Sequence, residues 1–161
     1  MDEGNRAVNN DSHRANRPEL ANGLEVLDPT ECRRLLVSVP IGRIVFTDQA
    51  MPAVQPVNFL VHNGAIIVRT GEGSKLAAAS RDAVVAFEVD QIDPEYHTGW
   101  SVVVVGHAHE VTDQAGRHEL LGLPLRPWAS GVRDHVIRIP IEVIYGRRIA
   151  PPSQLHTVLN G

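Results

Sequence analysis

From residue 42 onward the chain is built of short apolar, β-branched runs broken by Gly, Pro, Asn and Asp, the signature of strands and turns. Ahead of that region, Cys32, Leu35, Leu36 and Val39 fall at helical spacing. Asp28 is placed to cap this helix, Pro29 suits its first position, Glu31 is placed to reach back in a capping box, and Pro40 ends it. Strands are predicted at 42–47 and 53–61, joined by the turn Asp48-Gln-Ala. Pro56 assigns the second of them to an edge or bulge. Asn63-Gly64 predicts a hairpin turn into a return strand over 65–70. A short Ala-rich helix over 74–81, a strand over 83–90, a loop over 91–98 and a long strand over 100–111 follow, with Gly106 marking a bulge or bend. A helix near 113–121, a Pro- and Gly-containing connection and strands over 136–139 and 142–149 complete the pattern. About six or seven strands with short helices predict a mainly β, α+β fold, an antiparallel barrel.

The N-terminal residues 1–22 are rich in Asn, Arg, Asp and Ser and have no apolar periodicity, which predicts a flexible tail before a domain over 23–150. Residues 151–161 are expected to be a second tail. The chain has 161 residues, enough for one ordinary domain. A formal charge of −4 argues against a general nucleic-acid partner. No apolar run approaches a membrane helix, the N-terminus lacks a signal-peptide core, and a cytoplasmic protein is expected. Cys32 is the single cysteine and reads as a buried small hydrophobe.

The most informative stretch is Gly64 to Leu76, in which an apolar strand runs into Arg69-Thr-Gly-Glu-Gly-Ser-Lys75. Strand, glycine-flanked turn and helix start gather a guanidinium, two hydroxyls, an ammonium and unpartnered helix N–H groups, a combination suited to a phosphate. The spacing is not that of a P-loop, so nucleotide hydrolysis is not implied. In 51–59 two prolines leave backbone groups unpaired, and Gln55 and Asn58 add amides suited to a heterocycle's edge, or the prolines simply protect an edge strand. Trp100 reads as core or interface packing, and Trp128, in a loop, as the better site candidate. His107 and His109 share one strand face and read as polar sheet surface rather than metal ligands, while His135 stays open between surface and interface. No Ser-His-Asp set or carboxylate pair is present to do acid–base chemistry, so any reaction would come from a cofactor.

The ordered blocks Leu27-Asp-Pro-Thr-Glu-Cys32, Gly42-Arg-Ile-Val-Phe46, Pro56-Val-Asn-Phe59, Arg69 to Leu76, Ala86-Phe-Glu-Val-Asp90, Gly99-Trp-Ser-Val-Val103 and Gly146-Arg-Arg-Ile149 resemble the pyridoxamine 5′-phosphate oxidase-like flavoproteins, in particular their nitroimidazole-resistance-protein-like branch. The resemblance covers residues 24–150. It implies a split β-barrel homodimer with FMN in grooves between subunits, acting as an oxidoreductase on a small molecule. By the same resemblance Arg69, Thr70, Ser74 and Lys75 would hold the phosphate, and Val54, Gln55, Pro56, Val57 and Asn58 would meet the isoalloxazine edge. Trp128 and Arg138 would come from the partner subunit. Some relatives use the deazaflavin F420, for whose tail Arg126, Arg133, Arg147 and Arg148 are the available cations, and others bind haem. A non-catalytic flavin- or haem-binding protein is the remaining alternative. Arg69 stands where the nitroimidazole-resistance proteins carry a histidine, and the oxidase's C-terminal substrate segment is not recognisable.

Overall fold

The computed structural model describes residues 24–149, and the two expected tails lie outside them. The strands are β1 (Leu24–Leu27), β2 (Ile41–Asp48), β3 (Met51–His62), β4 (Ala65–Thr70), β5 (Val84–Asp93), β6 (Thr98–His107), β7 (His109–Glu110), β8 (His135–Pro140) and β9 (Val143–Ile149). The helices are α1 (Pro29–Leu36), α2 (Ser74–Ser80) and α3 (Gln114–Leu121). Every pairing is antiparallel, in the order β1-β9-β6-β5-β2-β3-β4-β8-β7.

The nine strands exceed the expected six or seven for local reasons. β1 and β7 have only four and two residues, too short for alternation to show in a sequence. The expected 100–111 strand divides at Ala108, because β6 pairs with β5 and β9 whereas β7 pairs with β8. The expected loop over 91–98 shrinks to a tight turn, since β5 and β6 stay paired out to Asp93 and Thr98.

β3 makes the barrel from two sheets. Its residues 51–58 pair with β2, and its residues 59–62 pair with β4, so the strand leaves one sheet and enters the other at Asn58–Phe59. Between the sheets lies the main core, which includes Ile44, Phe59, Ile66, Val68, Phe87, Val102, Val104, Ile137 and Ile139. Phe59 and Phe87 meet edge to face with ring centroids 4.8 Å apart. On the opposite side of the barrel, Gly106 of β6 lies so close to β8 that a Cβ there would sit 2.1 Å from the Pro140 carbonyl oxygen. Gly106 is therefore a point of backbone contact between the sheets, where the chain leaves β6 for β7. Asn63 and Gly64 both have positive φ, 48° and 70°, as the expected Asn-Gly hairpin requires.

Helix α1 starts as expected at Asp28, whose side chain accepts from the Glu31 N–H at 2.9 Å. Glu31 does not complete the capping box. Its carboxylate receives Arg34 Nε at 2.7 Å and also bonds Arg148 of β9. Charged guanidinium donors outcompete a neutral backbone N–H, and the pair ties α1 to the sheet. Arg34, then Arg148, holds the Glu31 carboxyl down to about 2 against the opposing effect of burial. Cys32 is fully buried beneath this seam, and burial raises its thiol pKa.

Two outcomes test these contacts. Gly106→Ala should destabilise the fold by about 1–3 kcal/mol in denaturant unfolding, since the obstructing atom is backbone. A depressed carboxylate pKa stabilises the fold above its unfolded value and ceases to do so as pH falls through the folded one. Wild-type stability should therefore carry a Glu31 contribution at neutral pH that fades below the ordinary 4.5 and is gone by about 2. Acid unfolding of Glu31→Gln should lack that part of the slope.

Candidate functional site

The end of β4, the turn 71–73 and the start of α2 form a rim covered from one side by the long connection 122–134. Strand alternation sends Arg69 and Thr70 to opposite faces. Thr70 is buried, paired with His135 across β4 and β8, on the face that continues into the main core. Arg69 is half-buried and donates from Nε to the Arg133 carbonyl at 3.3 Å and from Nη1 to the Leu125 carbonyl at 3.4 Å. Its guanidinium thus anchors the connection, a structural task that the local sequence did not reveal.

Helix α2 begins after Gly73, whose φ of 146° and ψ of −175° belong to a region nearly closed to other residues. No side chain caps the helix. Ser74 is its first residue, and Lys75 follows, half-buried, without a carboxylate partner among the described residues. Burial, followed by the nearby charge of Arg133, lowers the Lys75 pKa. A half-buried ammonium beside a guanidinium, neither ion-paired to a carboxylate among the described residues, is an arrangement that an anionic ligand would stabilise. Arg133 is the residue that sequence reasoning left out of this cluster. It is remote from Lys75 in the chain, and only the folding of 122–134 over the rim brings it there.

The segment Val54–Asn58 behaves as its prolines suggest. It pairs with β2 on one edge, and no described strand pairs with the other, because β4 joins β3 only from Phe59 onward. Asn58 Oδ1 accepts from the Trp128 backbone N–H at 2.8 Å, so the connection is fastened at this point too. Trp128 is therefore tied through its backbone to β3 of the same chain, with 74% of its surface exposed. Val57 turns inward to the core, whereas Val54 and Pro56 face out.

Arg138 lies elsewhere. It pairs with Ile67 and with His109, two positions along the strands from the Arg69–Val136 pair. It lines a cavity of about 420 Å³ beside α3, together with His62, Asn63 and His109. Within the chain it does not join the cluster around Lys75. His107 and His109 flank the buried Ala108 and are both partly exposed, and both act on the Glu142 carboxylate, in keeping with the expected polar face. His107 Nδ1 is 3.0 Å from Glu142, and His109 Nδ1 is 2.7 Å from Asp82. Among the described residues no group of three or more His, Cys, Asp and Glu side chains could hold a metal ion. Trp100 packs, partly buried, on the main core and also lines a cavity of about 600 Å³ beside the β5–β6 turn, away from the rim.

The outward face of the sheet carries one further feature. Val54, Val45, Ala86, Val105 and Val143 are register partners in succession across β3, β2, β5, β6 and β9. Their inward neighbours, among them Ile44, Phe87 and Val104, are buried, so this row faces away from the core. Apolar residues thus run across five strands on an outer face and end at the open segment of β3.

A split β-barrel with an unoffset cationic rim beside an open strand edge defines the class of protein. The sequence profile of the pyridoxamine 5′-phosphate oxidase family matches residues 28–148, and the chain belongs to that family. An uncharacterized protein of Mycobacterium tuberculosis is 44% identical over 144 residues, spanning 85% of this chain and 93% of the relative. The structure of an FAD binding protein from Mycobacterium smegmatis is 41% identical, with a TM-score of 0.62, covering 76% of this chain and 95% of that one. An FAD-binding protein from Mesorhizobium loti shares the fold at 22% identity, with a TM-score of 0.64 over 78% of this chain and 96% of that one.

Replacing Asn58 by Ala should remove the acceptor that holds the connection. Hydrogen exchange at the Trp128 amide should then speed about fivefold or more, as expected for a lost hydrogen bond, while exchange in β4 and β5 stays unchanged.

Proposed function

We propose that the protein is a flavin-dependent oxidoreductase in which the rim around Lys75 takes the cofactor phosphate. The observation that carries this reading is the half-buried Lys75 ammonium beside Arg133, with no carboxylate partner among the described residues. Ser74 and the uncapped start of α2 add neutral donors, Thr70 stands on the α2 side, and Arg69 holds the covering connection in place. FMN matches this set most economically, since its single terminal phosphate needs one such rim. The 41%-identical FAD binding protein favours FAD as the second reading. For F420 the cations are poorly placed. Arg148 is committed to Glu31 and Glu25, and Arg147 lies on β9, two strands beyond β5 in the sheet order. Only Arg126 and Arg133 share the connection over the rim.

The isoalloxazine would lie along Val54–Asn58, where the open edge of β3 offers backbone groups and Gln55 and Asn58 offer amides. When bound, the flavin supplies the hydride or electron transfer, so the absence of an acid–base pair in the sequence is consistent with catalysis. The residues of the chain bind and orient the cofactor, and Trp128 is positioned to limit water at the groove. A second copy of the chain would cover the outward apolar row, burying Val54, Val45, Ala86, Val105 and Val143 and turning the β3 edge into a groove between subunits. No described helix is long and apolar enough to cross a membrane.

Fluorescence titration of the purified protein with FMN, FAD and F420 tests the reading. Lys75→Ala should weaken binding of the preferred flavin by about tenfold or more, a loss of about 1.4 kcal/mol. Unchanged affinity would remove Lys75 and its rim from the cofactor site.

A further inference from the structure

We propose that His135 is a proton-controlled latch that draws the Glu72 carboxylate away from the anion-binding rim. Loss of its second proton then releases a competing negative charge into that rim. The inference rests on the phosphate reading above and concerns its regulation.

Glu72 is the centre of the turn, between Gly71 and Gly73, with Arg69 and Thr70 before it and Ser74 and Lys75 after it. Its side chain is 86% exposed and held by neither strand nor helix. One contact directs it: Oε1 lies 3.1 Å from His135 Nε2. The other ring nitrogen, Nδ1, lies 2.9 Å from Glu110 Oε1 on β7. Asp134, next in the chain, brings a third carboxylate to 3.8 Å from Nε2, and its own charge is shared with Arg117 of α3 at 3.8 Å.

The hydrogen bond to Glu110 places an N–H on Nδ1, so in the neutral ring Nε2 would turn a lone pair toward the Glu72 carboxylate at ion-pair distance, a repulsive contact. Neutral imidazole has one N–H, and imidazolium has two. Simultaneous contact with Glu110 and Glu72 is therefore a property of the charged ring. Glu110 first, with help from Asp134 and Glu72 and against the effect of burial, raises the His135 pKa. The sign follows. Below the raised pKa the ring bridges β7 and the turn, and Glu72 is paired with it, while the charge acting on Lys75 is that of Arg133. As pH rises through it, one of the two contacts is lost. Glu110 sits on the less exposed side, so the exposed Glu72 is the partner released. A free carboxylate on that turn repels a phosphate dianion and competes with it for Lys75 and Arg133.

The test compares wild type with Glu72→Gln, an exposed and nearly isosteric change. NMR titration of the His135 ring should give a wild-type midpoint above the ordinary histidine value and a lower one in the variant. FMN dissociation constants are measured for both proteins at about pH 6 and about pH 8.5, on either side of the histidine range. Their ratio at each pH cancels the ionisation of the FMN phosphate itself. The two proteins should bind alike at the lower pH, and the variant should bind about threefold or more tighter at the higher pH. A ratio that does not change with pH, or a His135 midpoint unmoved by the substitution, would overturn the latch. Failure of both proteins to bind FMN at either pH would overturn the phosphate reading instead, and the His135 midpoint would still decide whether that ring holds Glu72.

Discussion

The structure depends on the passage of β3 from one sheet to the other at Asn58–Phe59. Phe59 and the residues after it are claimed by β4 and the core, whereas residues 51–58 keep a single neighbour, β2. A strand with one unpaired edge is usually an aggregation hazard. Here the edge is interrupted by Pro52 and Pro56 and fastened through Asn58 to the connection that carries Trp128. The same feature that closes the barrel therefore leaves an ordered row of backbone groups facing outward, at the end of the apolar row on the sheet.

The connection 122–134 is the second organising element, and it is held mainly by polar contacts. Arg69 takes two of its carbonyls, Asn58 takes one of its N–H groups, and Leu125 plugs into the smaller core formed with Ala65, Ile67, Leu120 and Val136. Its placement brings Arg133 to Lys75 and gives the rim its uncompensated positive charge. Residues that would read separately as surface cations become one electrostatic unit because this connection folds back over the turn.

Much of this was legible along the chain where the determinant is local. Asp28 and Pro29 start α1, Asn63-Gly64 forms its hairpin, and Gly73 precedes Ser74 and Lys75 at the start of α2. Where the determinant is a partner distant in sequence, local reasoning failed. The Glu31 capping box is displaced because Arg34 and, from the far end of the chain, Arg148 are better donors for that carboxylate. The expected 100–111 strand divides at Ala108 because β6 and β7 follow different neighbours, a matter of pairing that alternation cannot disclose. Arg69 also holds the covering connection through two of its carbonyls, a task that its neighbours in sequence do not disclose.

Read along the chain alone, the residues specify which segments are strands with a buried face, where the chain turns, and that a glycine-flanked turn separates an arginine from a lysine. Each of those follows from backbone sterics and hydrophobic periodicity over a few residues. Only the tertiary structure decided which cations stand together, which strand edge stays open, and which carboxylates share His135. These are outcomes of sheet order and of a connection folding across the rim, and energies between residues far apart in sequence arise only once the fold has made them neighbours.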